Sequence, residues 1–203
     1  MTLLQLDQLA FTHINASVNL AGWRLEAATA LAKWVVYLVP IALVGLWLAG
    51  AGRGRTAAVK AALCAGAALL INQAIGLAWY RPRPFVIGLG HAFLAHAPDS
   101  SFPSDHVTAL AAAGIALWSS RSRLACRLGI VLTAAAPVAG WARVFLGIHY
   151  PGDVVGAFAT AVLAAAGFAT APGQRGCAWL TMQCERIYRR LLSKPIARGW
   201  IRA

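Results

Sequence analysis

The sequence predicts an all-α integral membrane protein: one domain, residues 1–203, with about five transmembrane helices and an N-terminal amphipathic helix. Of the 203 residues, 60% are hydrophobic and only 12% are charged, which is too apolar for a soluble domain of this size. Several apolar stretches approach the roughly 20 residues that a helix needs to cross about 30 Å of hydrocarbon. The 18 Lys and Arg residues are also unevenly distributed along the chain.

The first segment, residues 3–16, has apolar residues at helical spacing but too little hydrophobicity to span a membrane. We therefore expect an amphipathic helix that lies at the membrane interface. The segment lacks the basic start and small-residue cleavage site of a signal peptide. A later apolar stretch, about 104–119, is short, so its first turn is expected inside the membrane boundary. The longer predicted spans are about 27–50, 57–80, 124–142 and 151–171.

Basic residues predict the orientation of these spans, because Lys and Arg in short loops stay on the cytoplasmic side. In a five-span arrangement, thirteen of the 18 basic residues fall on one side. They follow the first and third spans or belong to the tail, residues 173–203. The sequence thus predicts a multi-pass protein of the bacterial inner membrane with its N-terminus outside and its C-terminus in the cytoplasm. The cations on the outer side are Arg24, Lys33, Arg81, Arg83 and Arg143.

The basic tail also contains Trp179, Tyr188 and Trp200, a mixture that occurs in nucleic-acid-binding segments as well. We favour a surface helix that touches anionic lipid, because aromatic and basic residues both prefer the membrane interface. No nucleic-acid partner is therefore expected. The four cysteines show no CxxC or Cys/His metal spacing, so we expect no disulfide, no metal and no cofactor. The oligomeric state stays open.

Polar residues are scarce but cluster in three segments on the predicted outer side, between residues 81 and 153. Ionisable groups at membrane depth are costly and usually mark a functional site. The first segment contains Arg81 and Arg83, each followed by a proline. Two interfacial arginines that reach outward would explain it, and so would a bidentate clamp on phosphate oxygens. This segment alone leaves both interpretations open.

The second segment, Pro103-Ser104-Asp105-His106, has the composition of a helix start, so capping is a sufficient explanation for Ser104 or Asp105. Capping does not explain His106. The first turn of a helix offers N–H groups and the positive end of the helix dipole, which suit a phosphate. The Ser104 hydroxyl is able to donate to the same phosphate.

The third segment runs from Arg143 through His149 to Asp153. Pro151 suits the first position of a helix, which would place Asp153 in the first turn with its side chain reaching back toward His149. A carboxylate on one imidazole nitrogen fixes the tautomer and leaves the lone pair of the other nitrogen facing the substrate. The carboxylate would also stabilise the cation that forms when this nitrogen attacks.

Together these segments resemble the type-2 phosphatidic acid phosphatase superfamily, whose signature is K-x6-R-P, then P-S-G-H, then S-R-x5-H-x3-D. The resemblance implies that His149 is a nucleophile forming a phosphohistidine, that Asp153 orients it, and that His106 protonates the leaving oxygen and then activates water. It further implies that a second set of residues binds the phosphate, together with backbone N–H groups near 104–106. These residues are Arg83, Ser104 and Arg143.

The chain departs from the signature at Gly76, Asp105 and Ala142, where the family has Lys, Gly and Ser. Arg81 is a candidate to replace the missing Lys. Asp105, placed with the phosphate-binding group, would add an anion beside an anionic substrate unless it caps the helix or pairs with an arginine. For Asn72 and Gln73 we expect interhelical hydrogen bonds.

These departures and the flanking residues resemble BcrC-type undecaprenyl-diphosphate phosphatases, which are linked to bacitracin resistance. The resemblance implies a polyprenyl diphosphate substrate, a role in peptidoglycan synthesis and a site facing the periplasm. The segment 85–101 would form a short interfacial helix or lid, where His91 or His96 either touches the distal phosphate or is merely solvated. The alternatives are a phosphatase or phosphotransferase acting on phosphatidic acid, phosphatidylglycerol phosphate or lipid A, and a transporter without enzymatic activity.

Overall fold

The structure, a computed structural model, describes residues 1–49 and 52–199. The described chain is helical throughout and contains no strand, which confirms the predicted all-α class. Trp200 and Arg202 of the predicted basic tail lie outside the described residues. In chain order the helices are α1 (Leu3–Ile14), α2 (Trp23–Trp34), α3 (Leu38–Ala49), α4 (Arg53–Ala78), α5 (Asp105–Trp118), α6 (Arg123–Phe145), α7 (Pro151–Ala169), α8 (Ala171–Leu191) and α9 (Ser193–Ala197).

The predicted N-terminal helix is present as α1. Its start is fixed by a capping box, in which the Gln5 backbone N–H donates to Thr2 Oγ1 at 3.3 Å and the Thr2 N–H donates to Gln5 Oε1 at 2.8 Å. Phe11 is fully buried and packs against the Tyr150 ring at 5.6 Å between centroids. The neighbouring side chains of Leu3, Leu6 and other leucines remain exposed. Helix α1 therefore buries an aromatic residue against the bundle and presents an apolar surface outward.

Four helical segments of the described chain are long and apolar enough to cross a membrane: Trp23–Ala49, Arg53–Ala78, Arg123–Phe145 and Pro151–Ala169. They confirm a multi-pass helical membrane protein. The first consists of α2 and α3 joined by a 3₁₀ turn at Val35–Tyr37. Pro40 has no N–H to donate to the carbonyl of Val36 and its ring crowds that carbonyl, so the helix tightens just before it.

The predicted fifth span is the short helix α5. Its 14 residues rise only about 21 Å, less than a full hydrocarbon thickness, so it does not count among the four long spans. It packs along the middle of α4, from an Asn72–Asp105 hydrogen bond at one end of α5 to a Lys60–Ser119 hydrogen bond at the other. Ten of its residues are buried among α4, α6 and α7. Helix α5 is therefore the central element of the fold.

Helices α5 and α6 approach each other closely because glycines face each other at their crossing. A Cβ atom added to Gly129 would lie 2.7 Å from the Gly114 carbonyl oxygen and 2.8 Å from Trp118 Cα. A Cβ at Gly114 would meet the Thr133 backbone nitrogen at 2.7 Å. In lipid, helices gain stability from such close backbone contact rather than from the hydrophobic effect.

We expect Gly129→Val to force α5 and α6 apart and to destabilise the protein by about 1–3 kcal/mol, the usual cost of overpacking. Thermal unfolding in detergent measures the effect. The matched control is Gly66→Val on α4, since none of the described residues lies within 4 Å of a Cβ at that position. Equal unfolding temperatures for the two variants would contradict this account of the crossing.

The two ends of the bundle differ in chemistry. At one end, Arg55 is buried, donates to the Trp47 carbonyl at 3.1 Å, and lies 3.5 Å from Glu185 of α8. Its guanidinium also lies over the Tyr188 ring, 4.7 Å from the centroid. These contacts tie the basic, amphipathic helix α8 to the start of α4. The opposite end holds all three polar segments singled out in the sequence.

Candidate active site

The three predicted segments meet in one cavity of about 360 Å³ between the C-terminus of α4, the N-terminus of α5 and the loop before α7. The chain connects α6 to α7 through a five-residue loop, residues 146–150, which carries His149 toward the cavity. Helices α5 and α7 are linked at this end, because the Ser104 N–H donates to the Asp153 carbonyl at 3.2 Å. The charged and imidazole side chains that line the cavity are Arg83, His96, Asp99, Asp105, His106, Arg143 and His149.

His149 and Asp153 are in contact, as the sequence predicted. Pro151 is the first residue of α7, so Asp153 occupies the third helical position, where its Oδ2 accepts from the Tyr150 N–H at 2.8 Å. The same oxygen lies 3.1 Å from His149 Nδ1. Because a carboxylate accepts hydrogen bonds, we assign the imidazole hydrogen to Nδ1. Nε2 is then left with a lone pair on the cavity side.

The surroundings of His149 keep its imidazole neutral. Its side chain is buried, with 1% exposure, and the cations of Arg143 and Arg83 lie nearby. Burial first, and then these two cations, lower the pKa of His149 well below its ordinary value. A neutral imidazole has the free electron pair that nucleophilic attack requires. The arrangement thus supports a nucleophile at the floor of the cavity.

Arg83 is held rigidly beside this nucleophile. Its Nη1 donates to the Ile148 carbonyl at 2.9 Å and lies 3.1 Å from His149 Nε2. Its Nε donates to Asp99 Oδ1 at 2.8 Å, and its Nη2 donates to the Ser100 carbonyl at 3.2 Å. A fixed guanidinium next to the attacking nitrogen is suited to stabilising charge on a phosphoryl oxygen.

Three buried polar atoms at this end of the bundle lack a hydrogen-bond partner among the described residues: Asn72 Oδ1, Ser104 Oγ and Arg143 Nε, of which the last two are donors. Ser104 is 0% exposed and Arg143 is 4% exposed. The other guanidinium nitrogens of Arg143 reach the Ala32 carbonyl at 3.2 Å and His96 Nε2 at 3.4 Å. Leaving buried donors unpaired is costly, so an anion that accepts from both would remove a real penalty.

The two histidines opposite His149 come from different segments. His106 lies in the first turn of α5 and lines the cavity, as predicted. His96 lines it too, with its ring centroid 6.4 Å from that of His149. His91 does not line the cavity: its ring packs against Phe93 and its backbone binds Asn15. Within the segment 85–101, predicted as an interfacial helix or lid, the structure has a 3₁₀ turn at Pro84–Ile87, and His96, Asp99 and Ser100 line the cavity.

The structure corrects the interpretation of Arg81 as a phosphate ligand that replaces the family Lys. Its guanidinium does not line the catalytic cavity. Instead, Nη1 donates to Asp153 Oδ1 at 2.8 Å and Nη2 donates to Asp7 Oδ2 at 2.6 Å. The guanidinium also stacks on the Tyr150 ring at 4.2 Å. Two carboxylates thus occupy this cation, and one of them is the Asp153 that contacts His149.

Asp105 also differs from expectation, since its carboxylate neither caps α5 nor pairs with an arginine. Its Oδ1 accepts from Asn72 Nδ2 at 2.8 Å and its Oδ2 accepts from Gln73 Nε2 at 3.2 Å. The interhelical hydrogen bonds predicted for these two amides are therefore present. A carboxylate offers no donor to a phosphate, so Asp105 is better described as a link between α4 and α5 on the cavity wall.

Sequence reasoning missed Asp7 and Ser101. Ser101 Oγ lies 3.5 Å from Asp153 Oδ1, and its N–H donates to the Arg81 carbonyl at 2.8 Å. Asp7 binds Arg81 from the N-terminal helix. The sequence held only a weak indication of a role for Asp7: it is the first acidic residue of the chain and the only one in α1.

A buried His–Asp pair, two arginines and unpaired donors on one small cavity define a membrane-embedded phosphatase of the histidine type. Comparison with known proteins identifies the family. The chain matches the PAP2 superfamily over residues 57–177 and belongs to it. This stretch contains all three of the polar segments described above.

Two curated relatives extend the match. The chain is 33% identical over 201 residues to the "Putative undecaprenyl-diphosphatase YbjG" of Escherichia coli (strain K12), which covers 95% of each chain. It is 34% identical over 131 residues to the undecaprenyl-diphosphatase BcrC of Bacillus subtilis (strain 168), covering 64% of this chain and 66% of the relative.

A solved structure supports the fold. A transmembrane PAP2-type phosphatidylglycerolphosphate phosphatase from Bacillus subtilis superposes with a TM-score of 0.60 at 23% identity. The superposition covers 81% of this chain and 85% of that one. The helical arrangement is therefore that of a known PAP2 membrane protein.

We expect Ser104→Ala to weaken inhibition by vanadate, a phosphate analogue, by about tenfold, because one donor to the bound anion is lost. Inhibition constants measured on purified protein give the effect. Ser119→Ala, at the opposite end of α5, is the matched control and should leave inhibition unchanged. If vanadate inhibits Ser104→Ala as strongly as wild type, the Ser104 hydroxyl does not contribute to anion binding.

The lowered pKa of His149 predicts how activity depends on pH. The neutral imidazole is the reactive form, so kcat/KM should hold as the pH falls through 6.5, the ordinary histidine pKa, and decline only below it. Arg83→Gln removes one of the cations that lower this pKa, so the acidic limb of its residual activity should move to higher pH. Arg24→Gln, exposed on α2, is the control. A limb that stays in place or moves downward in Arg83→Gln would refute this electrostatic account.

Proposed function

We propose that this protein hydrolyses undecaprenyl diphosphate to undecaprenyl phosphate and inorganic phosphate through a phosphohistidine at His149. The observation that carries the proposal is the neutral His149, oriented by Asp153 and flanked by Arg83 and Arg143 in one cavity. Identity to YbjG along nearly the whole chain supports the diphosphate lipid as substrate. As the resemblance implies, such hydrolysis would recycle the lipid carrier of peptidoglycan synthesis and confer bacitracin tolerance.

The first step is attack of His149 Nε2 on the terminal phosphorus. The N–P bond forms as the bond from phosphorus to the bridging oxygen breaks, and undecaprenyl phosphate leaves. His106 donates a proton to that oxygen. Arg83, Arg143 and the Ser104 hydroxyl bind the nonbridging oxygens, whose charge is the main barrier to transfer. Asp153 holds the imidazole and stabilises the positive charge that develops on it.

The second step releases phosphate. His106, now neutral, takes a proton from water as its oxygen attacks the phosphorus of the phosphohistidine. The N–P bond breaks, the electron pair returns to His149 Nε2, and inorganic phosphate leaves. Both steps place the same negative charge against the same two arginines, so one cavity serves both transition states. Side chains of the protein supply the nucleophile, the acid and the cations, and we therefore expect catalysis without an added metal.

The location of the site supports an orientation. The catalytic end of the bundle lies opposite the end that carries Arg55, Lys60 and the basic helix α8. Because basic loops stay in the cytoplasm, we place the cavity on the periplasmic side, with the N-terminus outside and the C-terminus inside. In this orientation the polyprenyl tail remains in lipid while its diphosphate head enters the cavity. The proposed mechanism requires only one copy of the chain.

The proposal predicts that purified protein releases phosphate from undecaprenyl diphosphate in the presence of a chelator, and that His149→Ala abolishes this release. His13→Ala, on the exposed face of α1, is the matched control. A lipid panel with phosphatidic acid, phosphatidylglycerol phosphate and lipid A tests the substrate. If the protein prefers one of these lipids, the proposed substrate is wrong, but the proposed reaction at His149 still holds.

Cells provide the second measurement. Wild-type protein should raise bacitracin tolerance, and His149→Ala should not. Intact spheroplasts should hydrolyse added substrate, whereas sealed inside-out vesicles should not. Tolerance that survives in His149→Ala would favour a transporter, and activity confined to inside-out vesicles would reverse the orientation.

A further inference from the structure

The carboxylate of Asp7 does not line the cavity but contacts residues that support it. Asp7 of α1 is only 14% exposed and uses both of its oxygens. Oδ2 accepts from Arg81 Nη2 at 2.6 Å, and Oδ1 accepts from the Gly152 N–H at 2.7 Å. Gly152 lies within the first turn of α7, and a Cβ there would come within 3.0 Å of Asp7 Cγ. The chain therefore leaves room for this carboxylate at the point where α7 begins.

Asp7 is the far end of a continuous chain of charged groups. Arg81 donates from Nη2 to Asp7 Oδ2 at 2.6 Å and from Nη1 to Asp153 Oδ1 at 2.8 Å. Asp153 then contacts His149 Nδ1 through its other oxygen at 3.1 Å. The sequence of contacts is Asp7, Arg81, Asp153, His149, and only the last faces the cavity. These contacts connect the carboxylate of Asp7 to the imidazole of His149.

The charges of this chain explain why a second acid is useful. Arg81 fixes Asp153 in place, but a lone Arg81–Asp153 pair would be neutral and would offer His149 little net negative charge. Asp7 gives the group of three a net charge of −1. In a region shielded from water, that charge lowers the free energy of the cationic imidazole formed during phosphoryl transfer. Arg81 is thus able to position Asp153 without cancelling its effect.

Anchoring of α1 is a separate matter, and another residue performs it. Asn15, directly after α1, donates from Nδ2 to the His91 carbonyl at 2.9 Å and to the Phe145 carbonyl at 3.1 Å. Its Oδ1 accepts from the His91 N–H at 2.8 Å. Phe11 adds a buried aromatic contact. Asn15 thus provides a reference for what loss of docking alone does to the enzyme.

We propose that Asp7 is a positioning residue for the reaction at His149, so that α1 is part of the active site as well as an interfacial helix. The inference rests on the proposed function of His149. It assigns to the N-terminal helix an electrostatic role that acts through Arg81 and Asp153. A role limited to attaching α1 to the bundle is the competing explanation.

The test compares Asp7→Asn with Asn15→Ala in purified full-length protein, using phosphate release from undecaprenyl diphosphate. Asp7→Asn keeps the size of the side chain and an acceptor for Gly152 but loses the charge. We expect kcat to fall about tenfold with KM within twofold, because the loss is felt in the transition state. Asn15→Ala should lower the unfolding temperature and leave kcat within twofold. Asp7→Glu, which keeps the charge, should recover part of the rate.

A double variant tests the route. If Asp7 acts through Arg81, then Asp7→Asn combined with Arg81→Gln should lose no more kcat than Arg81→Gln alone. The inference is overturned if the double variant loses kcat by the product of the two single losses. It is also overturned if Asp7→Asn has the kcat of wild type, or if its only defect is the reduced stability seen in Asn15→Ala.

These outcomes are separable from failure of the proposed function. Wild-type protein that releases no phosphate from any lipid of the panel would overturn both. Release from a different lipid would overturn the substrate alone, and the comparison of variants would then be made on that lipid. An active wild type with an unaffected Asp7→Asn would overturn the role of Asp7 alone.

Discussion

Burial of charge is the constraint on which this structure depends. Arg81, Arg83, Arg143, His149 and Asp153 are all buried in a chain that is 60% hydrophobic. A charged group withdrawn from water needs a partner in the protein, or its burial costs several kcal/mol. The helices at this end are therefore joined less by apolar packing than by hydrogen bonds among these groups. Two donors without a partner among the described residues, Ser104 Oγ and Arg143 Nε, belong to this same end of the bundle.

The same constraint explains how roles are divided between the two arginines of the first segment. Arg83 faces the cavity and is braced by carbonyl groups and Asp99, whereas Arg81, two residues earlier, faces Asp153 and Asp7. Residues two apart in an extended segment point in similar directions, but the prolines between and after them bend this segment. One guanidinium consequently faces the cavity and the other contacts Asp153, the carboxylate beside His149.

Much of this arrangement could be predicted from the sequence, for physical reasons that differ from residue to residue. Span positions follow from hydrophobic length, and the His149–Asp153 contact follows from Pro151 setting the start of α7. The contacts of Arg81 could not be predicted, because they depend on Asp7, more than 70 residues away in sequence. Asp105 was misinterpreted because its partners, Asn72 and Gln73, belong to another helix. Local spacing predicts groups on one turn or one loop, while contacts between distant helices require the packed bundle.

The shortness of α5 has a consequence for how substrate and solvent reach the site. Its rise of about 21 Å leaves it roughly 9 Å short of the hydrocarbon thickness. If Ser119 lies level with the basic end, then His106 at the other end sits below the plane of the outer lipid headgroups. The diphosphate head of a lipid would then have to move below the headgroup plane to reach the site. Its tail would stay in the hydrocarbon region during this movement. Water-soluble phosphate esters, which lack a tail to guide them to that depth, would be poor competitors.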